Sequence, residues 1–420
     1  MSHCRSCFIA PSGEITKKKL VPRSTNTRTR KYTNPLMKTP MQMILSIFIV
    51  LNIAQIVLGQ TFDMVVAQDG SGGFTQISDA VAAAPINSLQ KYFIKIKAGT
   101  YNERVQIGYD KKNLVLIGDG MDSTVITFDR STQAGYSVTD TPTVDVLGDG
   151  FIAAGITFIN SAGPSNDKAV ALRSTSQYSA FYQCRFEGYE DTLFVGNGTQ
   201  FYRNCEIYGS VDFIFGDAAV VFQNCGIYVR DPTAGKACYV TAQGRDSKKK
   251  NTGIVLHNCT ITTDNNNKPH IGTKVYLGRP WRSLSTVVVM QSYLDDIIDL
   301  QGWRRWEESN DGLNTLYYGE YQNRGPSAVT NQRVTWKGFR VMPFSEAEKF
   351  TVRNFLQGEA WLPQLNIPFF PDLLPDVRTG KWPTQGTDQD TSLYYSSAGA
   401  QKQCMNFFLI LFVILFNFFV

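Results

Sequence analysis

The chain has 420 residues with 41 basic and 36 acidic side chains, but nine of the basic residues and one acid fall in 1–60, and one further lysine in 396–420. The body between them keeps 31 basic against 35 acidic residues, a net of −4, so the formal +5 belongs to the leader and nothing in the composition supports a nucleic-acid partner. Of three histidines, His3 is in the leader and neither His257 nor His270 has a Ser-His-Asp context, and the cysteines of the body form no CxxC. A histidine-based hydrolase and a zinc centre are therefore not expected, and no metal or cofactor is.

In chain order, residues 1–36 are basic and rich in Ser and Thr, and the apolar stretch Met43–Gly59 follows Lys38. The leader, 1–59, reads as containing a secretory signal over about 41–59, with Met37, Met41 or Met43 as the true start and an upstream gene-model extension. An organelle transit peptide is the competing reading. Gln60 leads directly into the body, which at roughly 61–370 is long enough for one large domain. Asp69–Phe74 is Gly-rich but lacks a following Lys-Ser/Thr, so it is a turn and not a phosphate cradle. Residues 371–400 read as a polar linker. The tail 401–420 is hydrophobic, and with Ser396-Ser-Ala-Gly-Ala400 and a short spacer it resembles a GPI-anchor signal; a tail anchor or a spurious extension are the alternatives. Asn197-Gly-Thr199 and Asn258-Cys-Thr260 are glycosylation sequons, which fits secretion, although the second falls inside a repeat.

The body is organised by that repeat. Phe181-Tyr-Gln-Cys184, Phe201-Tyr-Arg-Asn-Cys205, Val221-Phe-Gln-Asn-Cys225 and Val255-Leu-His-Asn-Cys259 succeed one another at intervals of 21, 20 and 34 residues, the last enlarged by a Lys- and Gly-rich insertion. A looser copy is Val287–Leu294. Periods of this size mark solenoids. The units are rich in Val, Ile, Phe and Tyr and bounded by Gly, Asn and Asp, with little 3.6-residue periodicity, so the expected fold is a parallel β-helix with a continuous core. The cysteine column is then an inward ladder of small apolar groups or a set of disulfides between neighbouring coils. Asp191 and Asp212 each lie seven residues after a cysteine and are 21 apart. On adjacent coils their backbones would stand about 4.8 Å apart. Carboxylates that close resist double ionisation, so one keeps its proton while the other is anionic: a general acid beside a nucleophile.

At these residues the chain resembles the pectin methylesterases (pectinesterases) of plant cell walls. The resemblance runs from Asp69-Gly-Ser-Gly-Gly-Phe-Thr and Ile96-Lys-Ala-Gly-Thr-Tyr101 through Ala169-Val-Ala-Leu-Arg173. It continues through Gly188-Tyr-Glu-Asp-Thr-Leu-Phe194, Ile207–Gly216 and Thr241–Arg245 to Leu277-Gly-Arg-Pro-Trp281 and Gly302-Trp303. It implies an all-β, right-handed parallel β-helix, a single domain with short helical caps; no inhibitor-like region is expected ahead of it, since Gln60 leads almost directly into the body. It further implies hydrolysis of the methyl esters of homogalacturonan, outside the cell, with a pectinesterase inhibitor protein as a partner. Asp212 would be the nucleophile, Asp191 the acid and base, and Arg279 the group holding Asp212 ionised. Trp281, Phe194, Phe215 and Trp303 would wall the sugar site, although the matching positions of Phe194 and Phe215 on consecutive coils suit core stacking equally.

The chain departs from the family where Lys168 and Glu190 replace glutamines expected to donate to the oxyanion, and where Val138 replaces a substrate-contacting threonine. Each oxyanion donor is typically worth about 3 kcal/mol. Lys168 can still donate; an ionised Glu190 cannot, unless it pairs with Lys168. Two readings follow: an active esterase with a charge-swapped oxyanion hole, or a pectin-binding pseudoenzyme. A glycoside hydrolase such as a polygalacturonase is the third, since a close carboxylate pair also suits retaining cleavage.

Overall fold

The computed structural model describes residues 61–375 apart from 233 and 234. The leader, the hydrophobic tail and the linker beyond Pro375 lie outside the described residues. Twenty-six short strands form three sheets of eleven, seven and eight strands. Neighbours in each sheet belong to successive coils, and strand pairs such as Leu172–Ser174 with Leu193–Val195, and Leu193–Val195 with Ile214–Gly216, are parallel and in register. This is the parallel β-helix expected from the repeat.

Each repeat copy proves to be a corner and not one strand. Ser179–Tyr182 belongs to the eleven-stranded sheet and Arg185–Glu187 to the eight-stranded sheet. The chain turns between them at Gln183, and at Asn204, Asn224 and Asn258 on later coils, all with φ between 50° and 58°. Asn tolerates this left-handed conformation better than most residues. It also forms a ladder here: the Asn224 Nδ2 donates to Asn204 Oδ1 (2.7 Å) and the Asn258 Nδ2 to Asn224 Oδ1 (3.2 Å). The sequon at Asn258 thus lies in the corner and not in a strand, with its amide already engaged.

The cysteine after each corner residue points inward. Cys184, Cys205, Cys225, Cys259 and also Cys238 are free and buried in the core, so the ladder reading holds over the disulfide one. Beside the column, Phe181, Tyr202 and Phe222 stack at 4.5 Å centroid spacing, which matches the rise between coils.

Caps are present, but they differ at the two ends. The helix Ile77–Ala83 buries Ile77, Ala80 and Val81 against the first coils. The C-terminal helix Val352–Leu356 and the chain after it instead cover the outer face of the eleven-stranded sheet, where Phe355, Leu356, Leu362, Phe369 and Leu373 meet Phe201, Val221, Val255 and Val288. Two glutamines fasten this segment by pairing with its backbone: Gln223 with Phe370 and Gln291 with Leu374, each through both amide atoms at 2.8 Å. The chain therefore stays docked past the expected linker start at 371.

Candidate active site

The seven-stranded sheet carries the site on its outer face. Its strands Leu193–Val195 and Ile214–Gly216 pair Phe194 with Phe215, which places Asp191 and Asp212, each two residues before its strand, at one phase of adjacent coils. Both aspartates have positive φ, 63° and 49°. That conformation costs a non-glycine residue about 1 kcal/mol or more, and Asp bears it best. Both are about 95% buried.

Arg279 comes from two coils further on. Ile214 pairs with Thr241 and Thr241 with Gly278, so Tyr239 occupies the phase of Asp212 on the intervening coil. Gly278 is required for this approach, since a Cβ there would meet Thr241 Oγ1 at 2.1 Å. The Arg279 side chain reaches back across Tyr239 and grips Asp212 with both arms, Nε to Oδ1 at 2.9 Å and Nη2 to Oδ2 at 2.8 Å. The Tyr239 and Trp306 rings lie 4.1 and 4.3 Å from the guanidinium carbon. Such a sandwich fixes the fork in the plane that suits a carboxylate.

The two carboxyls are thereby made unequal. Burial, then the neighbouring Asp212 and Glu190 carboxylates, push the Asp191 carboxyl well above the usual carboxylate range. Burial also raises Asp212, but the Arg279 hydrogen bonds and charge pull it back. Asp191 is thus the more strongly favoured of the two to hold a proton; the spacing predicts that one carboxyl does so, and the resemblance implies that it is Asp191.

The aromatic wall is partly as expected. Phe194 and Phe215 stack at 4.4 Å, and Trp281 meets Phe215 edge-on at 6.1 Å. Trp281 seats against Gly244, where any side chain would collide with the indole at 2.7 Å. Phe215 is buried while Phe194, Trp281 and Val138 remain partly exposed, so the groove face belongs mainly to these three. Trp303, expected as a wall, is instead wholly buried: it packs at a tilt against Tyr318, with ring centroids 4.3 Å apart, and donates its Nε1–H to Glu320. Trp306, three residues on, takes the place at the site. Glu190 also differs from expectation. Its carboxylate pairs with Lys236 Nζ at 2.8 Å, not with Lys168. Lys168 makes no ion pair among the described residues, yet its charge acts on both Asp191 and Asp212.

Tyr239, Trp306 and Lys236 are not singled out by sequence reasoning. Tyr239 can be found by carrying the phase of Asp212 across the insertion; the other two carry no periodic signal.

The pectinesterase family model matches residues 63–359. This chain belongs to the pectinesterase family. It is 51% identical over 307 residues to "Probable pectinesterase/pectinesterase inhibitor 17" of Arabidopsis thaliana, covering 73% of this chain and 59% of that protein. It is 48% identical over 309 residues to pectinesterase 2 of Citrus sinensis, covering 73% and 60%. The chain thus spans about three fifths of the length of these curated relatives. Among solved structures it is similar to the pectin methylesterase from carrot, with a TM-score of 0.73 and 47% identity over 74% of this chain and 98% of that one. It is also similar to a pectin methylesterase in complex with a hexasaccharide, with a TM-score of 0.60 and 25% identity over 71% and 98%.

Proposed function

We propose that the protein hydrolyses methyl esters of pectin through an aspartyl acyl-enzyme. The observation that carries this reading is the bidentate Arg279–Asp212 pair beside a buried, proton-holding Asp191. Asp212 attacks the C6 ester carbonyl of a galacturonate, and the carbonyl π pair moves onto oxygen. Collapse of that oxyanion breaks the C–OCH3 bond; Asp191 gives its proton to the departing methoxide, and Asp212 is left joined to the sugar as an anhydride. Asp191, now ionised, takes a proton from water. The hydroxide adds to the acyl carbon and collapse breaks the anhydride C–O bond, releasing Asp212 as its carboxylate and the product as galacturonic acid, which gives its proton to solvent; Asp191 is left protonated as at the start. Lys168 is the remaining side chain able to meet the oxyanion, and Trp281 and Phe194 offer apolar faces to the sugar.

The hexasaccharide complex of a similar enzyme supports a pectin chain as substrate, and the names of the relatives make an inhibitor protein a reasonable partner. Secretion, a glycan at the exposed Asn197 and a C-terminal anchor belong to this reading as well. The test is incubation of the protein with highly esterified pectin: methanol should appear without new reducing ends, and Asp212→Asn should abolish it. New reducing ends would point to a glycosidase. Pectin binding without methanol would mean that Glu190 has silenced the site.

A further inference from the structure

Glu190 pairs with one ammonium group, that of Lys236, and a second, that of Lys168, belongs to the neighbouring coil. The previous coil runs alongside Glu190: Ala169 N–H donates to Glu190 O at 3.1 Å, which puts Lys168 on the neighbouring strand of chain. Lys168 is anchored there through its backbone, which exchanges bonds with Thr132 at 3.2 and 2.9 Å, while its ammonium has no ion pair among the described residues. The paired ammonium arrives from the insertion between Cys225 and Cys259. Lys236 and Glu190, with Val211, Tyr239 and Arg279, line a depression of about 350 Å3 beside the aspartates. Lys236 is the group that binds Glu190.

We propose that Lys236 is a positioning residue for the esterase reaction: by taking up the Glu190 carboxylate it leaves the Lys168 ammonium free to meet the oxyanion. The proposal rests on the reading of Asp212 as nucleophile and Asp191 as acid. An anionic Glu190 offers no hydrogen to an oxyanion and repels it, so this position hinders the chemistry unless its charge is matched. If Lys168 did the matching, both oxyanion positions would be lost together. With Lys236 doing it, one donor survives and carries a full charge.

The same pairing sets the field on the acid pair. Asp191 faces Asp212, Glu190 and Asp167 as anions and Lys168 as cation; Asp212 faces Arg279, Glu190 and Lys168. Removing the Lys236 charge leaves Glu190 to act on both aspartates unopposed or to draw Lys168 away from them. Either course raises the midpoints of both carboxyls. Asp212 must be ionised and Asp191 protonated, so both limbs of the pH–rate profile move to higher pH.

The experiment combines Lys236→Met, Glu190→Gln, the double variant and Lys236→Arg, read by methanol release against pH and by 13C titration of labelled aspartate carboxyls, with Asp191 assigned through Asp191→Asn. Lys236→Met should lower kcat about tenfold with KM changed less than about twofold. It should raise the Asp191 midpoint by about half to one pH unit. Lys236→Arg should restore both. In the Glu190→Gln background, Lys236→Met should change neither, because the partner it serves is gone. An unmoved Asp191 midpoint in Lys236→Met, or an equal displacement in the Glu190→Gln background, overturns the proposal. Absence of methanol from the wild type overturns the esterase reading itself and the positioning role with it; a flat response to Lys236→Met in an active enzyme overturns only the latter.

Discussion

Arg279→Met is the most direct challenge to the division of labour between the two aspartates. Methionine keeps much of the arginine stem and an apolar filling between Tyr239 and Trp306, but deletes both N–H bonds to Asp212 and the charge behind them. A guanidinium in contact typically lowers a carboxyl midpoint by about 1–3 on the pH scale, equivalent to about 1.4–4 kcal/mol. On the acid limb of kcat/KM, the ionised fraction of Asp212 falls about tenfold each time its midpoint rises by one on that scale. Activity at a fixed pH on that limb should therefore drop about 10- to 1,000-fold. Stability gives an independent reading. An ionised, buried Asp212 without its partner costs about 3–5 kcal/mol, but the carboxyl escapes most of this by taking a proton. Its folded pKa then lies above the unfolded value, so its contribution to stability is intact below the unfolded pKa and lost as pH rises through the folded one. The Tm deficit of the variant should consequently be small near pH 4 and larger near pH 8. Methanol release and thermal melts across that range check both. An unmoved acid limb, or a Tm deficit equal at both ends, would refute the claim that Arg279 holds Asp212 ionised.

Four further outcomes follow from the same structure. Trp303→Ala should destabilise the fold by about 3–5 kcal/mol, as expected for a fully buried indole. Trp306→Ala should leave the denaturant midpoint nearly unchanged while cutting kcat/KM about tenfold, because it frees one face of Arg279. His257, buried between Gln223 and Gln291 and near the Arg203 guanidinium, is pushed down to about 4 by burial. A depressed histidine contributes stability that is lost as pH falls from about 6.5 to its folded value, up to about 3 kcal/mol here. His257→Gln should flatten that acid loss in urea titrations at pH 7 and pH 4, and an unchanged slope would clear the histidine. Reductant should leave the Tm unaltered, since Cys184, Cys205, Cys225, Cys238 and Cys259 are all free; a drop would reveal a bridge.

Much of this is legible because a solenoid writes its register into its sequence. The Cys column, the Asn corner and the Asp pair recur at one interval, and the structure places them in one column each. Arg279 is legible through the local run Leu277–Trp281. What escapes is whatever depends on loops between coils. Trp303 and Trp306 sit in one irregular segment where no period says which ring turns inward, and the buried Glu320 that receives the Trp303 N–H lies 17 residues further on. The partner of Glu190 comes from 46 residues away, on an insertion whose path the repeat does not constrain. The corner reads as a strand in the sequence because its apolar flanks are continuous; only the left-handed Gln or Asn divides them.

The repeat also explains why two aspartates in one phase do different work. A column of identical corners would give two equivalent acids. The coil before Asp191 presents Val170, wholly buried, and the coil after it presents Asp212, so this carboxyl meets only apolar surface and like charge from its column. Asp212 is followed at the same phase by Tyr239, whose ring lies flat enough for Arg279 to cross it from the coil beyond. The proposed acid and nucleophile thus differ by position along the solenoid axis, with an arginine in bidentate contact on the Asp212 side only. A basic residue placed on the other side, as in Val170→Arg, should narrow the gap between the two carboxyl midpoints and weaken the acid, even with every hydrogen bond to Asp212 kept.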